Sequence, residues 1–119
     1  MEERKFFEAE MVNNGATGDD HKAIFEAREL DYFSNRFWNV VVSEGHVLVR
    51  SSLVDALCLG TAESQLYKLG RTKLWTLTDA MIDEAQEMIN YPRRSQREQN
   101  VADRNQKALD WLTALYLGL

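Results

Sequence analysis

Two histidines, His21 and His46, and one cysteine, Cys58, are the only imidazole and thiol groups in the chain. None stands at a CxxC, HxxxH or comparable spacing, so zinc-type ligation has no local scaffold. Asp19, Asp20 and His21 adjoin, but three consecutive residues cannot easily all point at one ion. Leu57 and Leu59 flank Cys58 and predict a buried, unreactive thiol. Serine-type catalysis needs a base held against a hydroxyl, and His46 approaches Ser51 and Ser52 only along the chain. The glycines at 15, 18, 45, 60, 70 and 118 form neither GxGxxG nor a phosphate-binding GKS or GKT loop. The carboxylate pairs Asp79/Asp83 and Asp83/Glu87 have i, i+4 spacing. They could do acid–base work with His46, but near a helix N-terminus they more simply complement its dipole. The chemistry on offer points away from an enzyme, with no metal and no cofactor expected.

Recognition chemistry is denser. NYPRRSQREQN (Asn90 to Asn100) holds the only proline and three of the fourteen Lys and Arg residues. Tyr91 can stack on a base or a partner, while Arg93, Arg94 and Arg97 can grip phosphate or carboxylate in bidentate fashion. Arginine at all three positions favours planar recognition. The same stretch also reads as an elbow between helices. Pro92 ends one helix, Ser95 caps the next, and Glu98 completes a capping box. The elbow and the contact role are compatible. With Arg104 and Lys107 beyond it, the stretch gives a candidate contact set for a protein partner or for nucleic acid.

The net charge of −5 is unevenly spread. Residues 1–44 carry ten acids against five bases, whereas residues 89–119 carry five bases against three acids. A dedicated duplex binder needs a stronger basic excess to displace counterions, and a DNA mimic needs a denser acidic face. Hydrophobic residues at 45 % and charged residues at 28 % are those of one folded domain spanning residues 1–119. No apolar run approaches the roughly 20 residues of a bilayer helix. MEERKFFEAE lacks the apolar centre of a signal peptide, so a cytoplasmic protein is expected.

The elements that must hold these groups follow from periodicity. FWNVVVSEGHVLVR (Phe37 to Arg50) predicts a β-hairpin turning at Ser43-Glu44-Gly45. SSLVDALCLG predicts a short helix capped by Ser51 or Ser52, with Gly60 in the left-handed terminal position. TAESQLYKLG predicts another, from Thr61 as cap to Gly70 as stop, with Leu53, Leu57, Leu66 and Leu69 facing inward. RTKLWTL (Arg71 to Leu77) alternates as a short strand. Thr78 caps a helix with apolar spacing Met81, Ile82, Ala85, Met88, Ile89. From Ser95 a long helix carries the stripe Val101, Ala108, Leu112, Leu115, Leu119. NNGATGDD (Asn13 to Asp20) reads as a loop. Ile24, Ala27, Leu30 and Phe33 after it step by three and favour helix, with a hairpin spanning the loop as the alternative. The expectation is α+β: a hairpin with one or two further strands, packed on four helices at about 53–59, 63–69, 79–89 and 95–117. Trp111, Leu115, Tyr116 and Leu119 exceed what one helix face buries and form a candidate self-association surface.

FWNVVVSEGHVLVRSSLVDALCLGTA, followed by KLWTLTDAMIDEAQEMINYPRR, resembles small accessory proteins of temperate bacteriophages in its texture and its strand, serine cap, helix order. The resemblance covers about Phe37 to Arg94 and carries no site residues. It implies a protein that binds one host protein, for instance to block a defence or redirect transcription. The resulting expectation is a non-catalytic binding protein acting through a protein partner. Nucleic-acid binding through Tyr91, Arg93, Arg94, Arg97, Arg104 and Lys107 is the alternative.

Overall fold

The computed structural model describes residues 4–14, 22–33, 38–92 and 95–118. In chain order the elements are β1 (Arg4–Asn14), β2 (Lys22–Leu30), β3 (Val40–Ser43), β4 (His46–Arg50), α1 (Ser51–Leu57), β5 (Leu66–Leu69), β6 (Thr72–Thr76), α2 (Asp79–Asn90) and α3 (Gln96–Leu117). The strands form one antiparallel sheet in the order β2-β1-β3-β4-β6-β5.

The predicted central hairpin is present. Glu44 and Gly45 both take positive φ, 52° and 77°, the backbone of a two-residue turn whose twist matches the flanking strands. Val40 to Val42 and Val47 to Val49 are continuous apolar runs because both faces of the sheet are covered. Val40, Val47 and Val49 join the core beneath the helices, while Val41 and Leu48 join a second cluster with Phe6, Trp38 and Leu74 on the opposite face. The helix-side core draws on Leu53, Leu57, Met81, Ala85, Leu109 and Leu112.

No helix of the described residues lies on the second face. Trp38, only 3 % exposed, covers it instead, in ring contact with Phe6 at 5.4 Å and with Arg50 5.1 Å above its own ring. Arg50 also donates from Nη1 to the Trp38 carbonyl. Tyr32 packs on both Phe6 and Trp38. Tyr32 and Trp38 thereby do the work that a helical layer does on the other side.

Asn39 fixes where β1 leaves the sheet. Its N–H donates to the Phe7 carbonyl and its Nδ2 to the Ala9 carbonyl. Its own carbonyl accepts from Arg50 N, and its Oδ1 from the Ser52 hydroxyl. β3 pairs only with residues 4–7 of β1, whereas β2 follows β1 to Asn14. The β1–β2 hairpin thus runs on past the sheet, with Glu8 opposite Arg28 at 3.9 Å.

Several expectations are corrected here. The class is α+β, but the arrangement of four helices with one or two extra strands gives way to six strands and three helices among the described residues. The predicted helix at 63–69 is the edge strand β5. Leu66 and Leu69 share helical spacing, but Tyr67 and Leu69 turn to the second-face cluster while Leu66 is 46 % exposed. Ile24 to Leu30 form a strand, so the hairpin alternative replaces the helix. The loop expected at 13–20 lies mainly outside the described residues, and Asn13 and Asn14 belong to β1. α1 is capped by neither serine: Arg50 is its N-cap residue, without a side-chain cap bond. Its left-handed C-terminal residue is Cys58 (φ 57°), not Gly60. The Glu84 carboxylate lies where a Gly60 Cβ would stand.

Candidate functional site

α2 and α3 run antiparallel from the elbow that the sequence marked. Thr78 Oγ1 accepts from Met81 N, and Ser95 Oγ accepts from Glu98 N at 3.2 Å, so both helices start at their predicted caps. Tyr91 is extended (φ −63°, ψ 139°) before Pro92, as the proline ring demands. Gln86 and Gln106 exchange amide bonds of 2.7 and 3.0 Å, extended to Asn90 and Asp110. That amide ladder clamps the two helices at mid-length.

On the elbow side of the clamp, the ends of α1 and α2 and the start of α3 enclose a cleft of about 200 Å³. Leu57, Met88, Ile89 and Val101 supply its apolar walls; Cys58, Glu98 and Asn105 supply the polar ones. Met88 and Val101, 51 % and 41 % exposed, line the cleft, and Tyr91, at the elbow, is 68 % exposed. Cys58 is exposed, correcting the expectation of a buried thiol, because the chain reverses at its left-handed backbone. Val101, expected in the core stripe, instead lines this cleft.

Asn105 is the unusual wall residue. It is only 9 % exposed and donates from Nδ2 to the Ala56 carbonyl at 3.4 Å. Its Oδ1 is buried and accepts no hydrogen bond. Leaving such an acceptor unpaired in apolar surroundings costs about 1–3 kcal/mol.

The predicted contact residues divide. Tyr91 and Arg97 are exposed at the elbow, and Lys107 is exposed along α3. Arg104 is half-buried, with Nε lacking a partner. It is not among the residues that line the cleft. Arg93 and Arg94 lie outside the described residues. Of the candidate self-association set, Trp111, Leu115 and Tyr116 are half-buried and pack on this domain's own core, Trp111 edge-on to Phe7 at 5.5 Å. Leu117 is 73 % exposed, and Leu119 lies outside the described residues.

A second, broader cleft of about 810 Å³ brings His46 and Asp79 into one lining with Glu63 and Tyr116; Asp83 is not part of it. Partial burial, a hydrogen bond to Asp79 and the charge of that carboxylate push the Tyr116 hydroxyl above its ordinary pKa. Asp79 and His46 are both exposed, so no desolvated acid–base pair is assembled there. Among the described residues no group of three His, Cys, Asp or Glu side chains converges as a metal site. No helix of the described residues is long and apolar enough to cross a membrane.

The elbow is legible in the sequence, whereas Leu57, Met88 and Asn105 carry no motif that marks them as cleft residues. Asn105 had a legible signal: a polar side chain three residues before Ala108 and seven before Leu112, on the inward stripe of α3. No protein-family model matches the chain, and neither do curated proteins or solved structures.

Proposed function

We propose that this chain is a non-catalytic binding protein that engages a protein partner through the elbow cleft, as a phage-encoded modulator of a host or defence protein would. The observation that carries the reading is that Met88 and Val101, two large exposed apolar side chains, line one cleft, with Tyr91, also exposed, just beyond the end of α2. Exposed apolar side chains scattered singly need no explanation, but a cluster at a cleft marks a binding surface. Arg97 and Glu98 provide a charged rim that orients a partner. The test is capture from nuclease-treated bacterial lysate by wild-type protein and by a Met88→Glu, Val101→Glu variant. A stoichiometric protein held by the wild type and lost by the variant is the expected result.

Nucleic-acid binding is the second reading. Arg97 and Lys107 are both exposed on one helix, about 15 Å apart at 1.5 Å per residue, which suits a run of phosphates. Binding of that kind weakens steeply with salt and falls when Arg93, Arg94 and Arg97 become alanine.

A further inference from the structure

We infer that the second cleft, at the far end of the α2–α3 pair from the elbow, takes the elbow of a second copy of this chain. It lies between the β3–β4 turn, the start of α2 and the end of α3, and its volume of about 810 Å³ admits several side chains at once. Glu63 and Asp79 give it two exposed carboxylates, and no lysine or arginine among the described residues lines it. The N-terminus of α2 and the C-terminus of α3 present opposite dipole ends there and offset each other, so the carboxylates set the field. A cleft of that charge selects a cationic occupant.

The elbow supplies the complement. Residues 91–98 carry Arg93, Arg94 and Arg97 against Glu98 alone. Arg97 is exposed, and the planar fork of arginine matches a carboxylate in bidentate fashion. Each face also carries an uncovered apolar side chain. Phe33 apart, Leu117 in the cleft and Tyr91 at the elbow are the most exposed large ones among the described residues, at 73 % and 68 %. Apolar contact ringed by paired charges is the make-up of a protein interface. One copy cannot bring its own two faces together, because the 12 residues of α2 hold them about 18 Å apart at 1.5 Å per residue. The contact is therefore between copies, and because the two faces differ it is heterologous, elbow to cleft.

The test is analytical sedimentation of the full chain as a function of concentration and salt. Wild type is expected to self-associate, and less so as salt rises. Glu63→Lys and Arg97→Glu, both at exposed positions, are each expected to weaken association about tenfold or more. Their equimolar mixture is expected to recover it, since an intact elbow then meets an intact cleft. The Glu63→Lys, Arg97→Glu double variant, with the pair reversed, is expected to recover it as well. Recovery separates this contact from a general effect of charge and from a variant that fails to fold. A monomeric wild type overturns the inference, as does association that survives either reversal or a mixture that stays dissociated. A monomeric wild type whose cleft binds an arginine-rich peptide also overturns it, and assigns the cleft to a basic segment of another protein. No foreign partner is required for this contact. Met88→Glu, Val101→Glu leaves both charges in place, so capture of a partner and self-association can fail separately.

Discussion

Asn39 holds two strands and the start of a helix with one residue. Its amide nitrogen closes on Ala9, its backbone on Phe7 and Arg50, and its side-chain oxygen on Ser52. Asn39→Ala removes the donor from the Ala9 carbonyl and the acceptor from Ser52. A loss of about 1–3 kcal/mol in urea denaturation is expected, whereas Asn39→Asp should keep the Ser52 bond and lose the Ala9 one. Asn105 is its counterpart at the site, a buried amide with one half satisfied. Asn105→Leu is therefore expected to change stability by less than Leu112→Ala, which empties a fully buried position and should cost about 2–5 kcal/mol. Residue-scale chemistry of this kind was only partly legible. Ser95, Glu98 and Pro92 announce their roles because capping and proline geometry are local. Asn105 does not, because its Nδ2 bond to the Ala56 carbonyl depends on where α1 ends.

At the scale of elements, helices α2 and α3, the β3–β4 hairpin and β6 could be read from periodicity and caps, since each carries its own signal. β5 and β2 could not. Alanine, glutamate, arginine and leucine in AIFEAREL favour a helix on intrinsic propensity, and pairing with β1 overrides them. The same holds for β5, whose four residues are too few to separate a period of two from one of three. The α2–α3 pair makes two predictions. The Gln86–Gln106 clamp should show a coupling of about 0.5–1.5 kcal/mol in a double-mutant cycle of alanine substitutions. At the far end, Tyr116 has a raised pKa in the fold, so its protonated hydroxyl contributes stability below the ordinary tyrosine pKa of 10.0. That contribution is lost as pH rises past 10.0 and through the folded value. Denaturation midpoints of wild type should therefore fall more between pH 9 and 11, the range about the tyrosine pKa, than those of Tyr116→Phe.

On the scale of the whole molecule, one sheet is closed on both faces by different means, helices on one and an aromatic strap around Trp38 on the other. Trp38→Ala is expected to cost about 3–5 kcal/mol, and to expose Val41, Leu48 and Leu74 together, seen as increased binding of an apolar dye. Trp111, Leu115 and Tyr116 are spent on the core, whereas Met88 and Val101 stay exposed in the lining of the elbow cleft. The partner-binding role of the elbow cleft is tested by capture from nuclease-treated lysate with wild type and with Met88→Glu, Val101→Glu. One stoichiometric protein is expected on the wild type and none on the variant. A partner that stays on the variant, or bound material that disappears with nuclease, would contradict it.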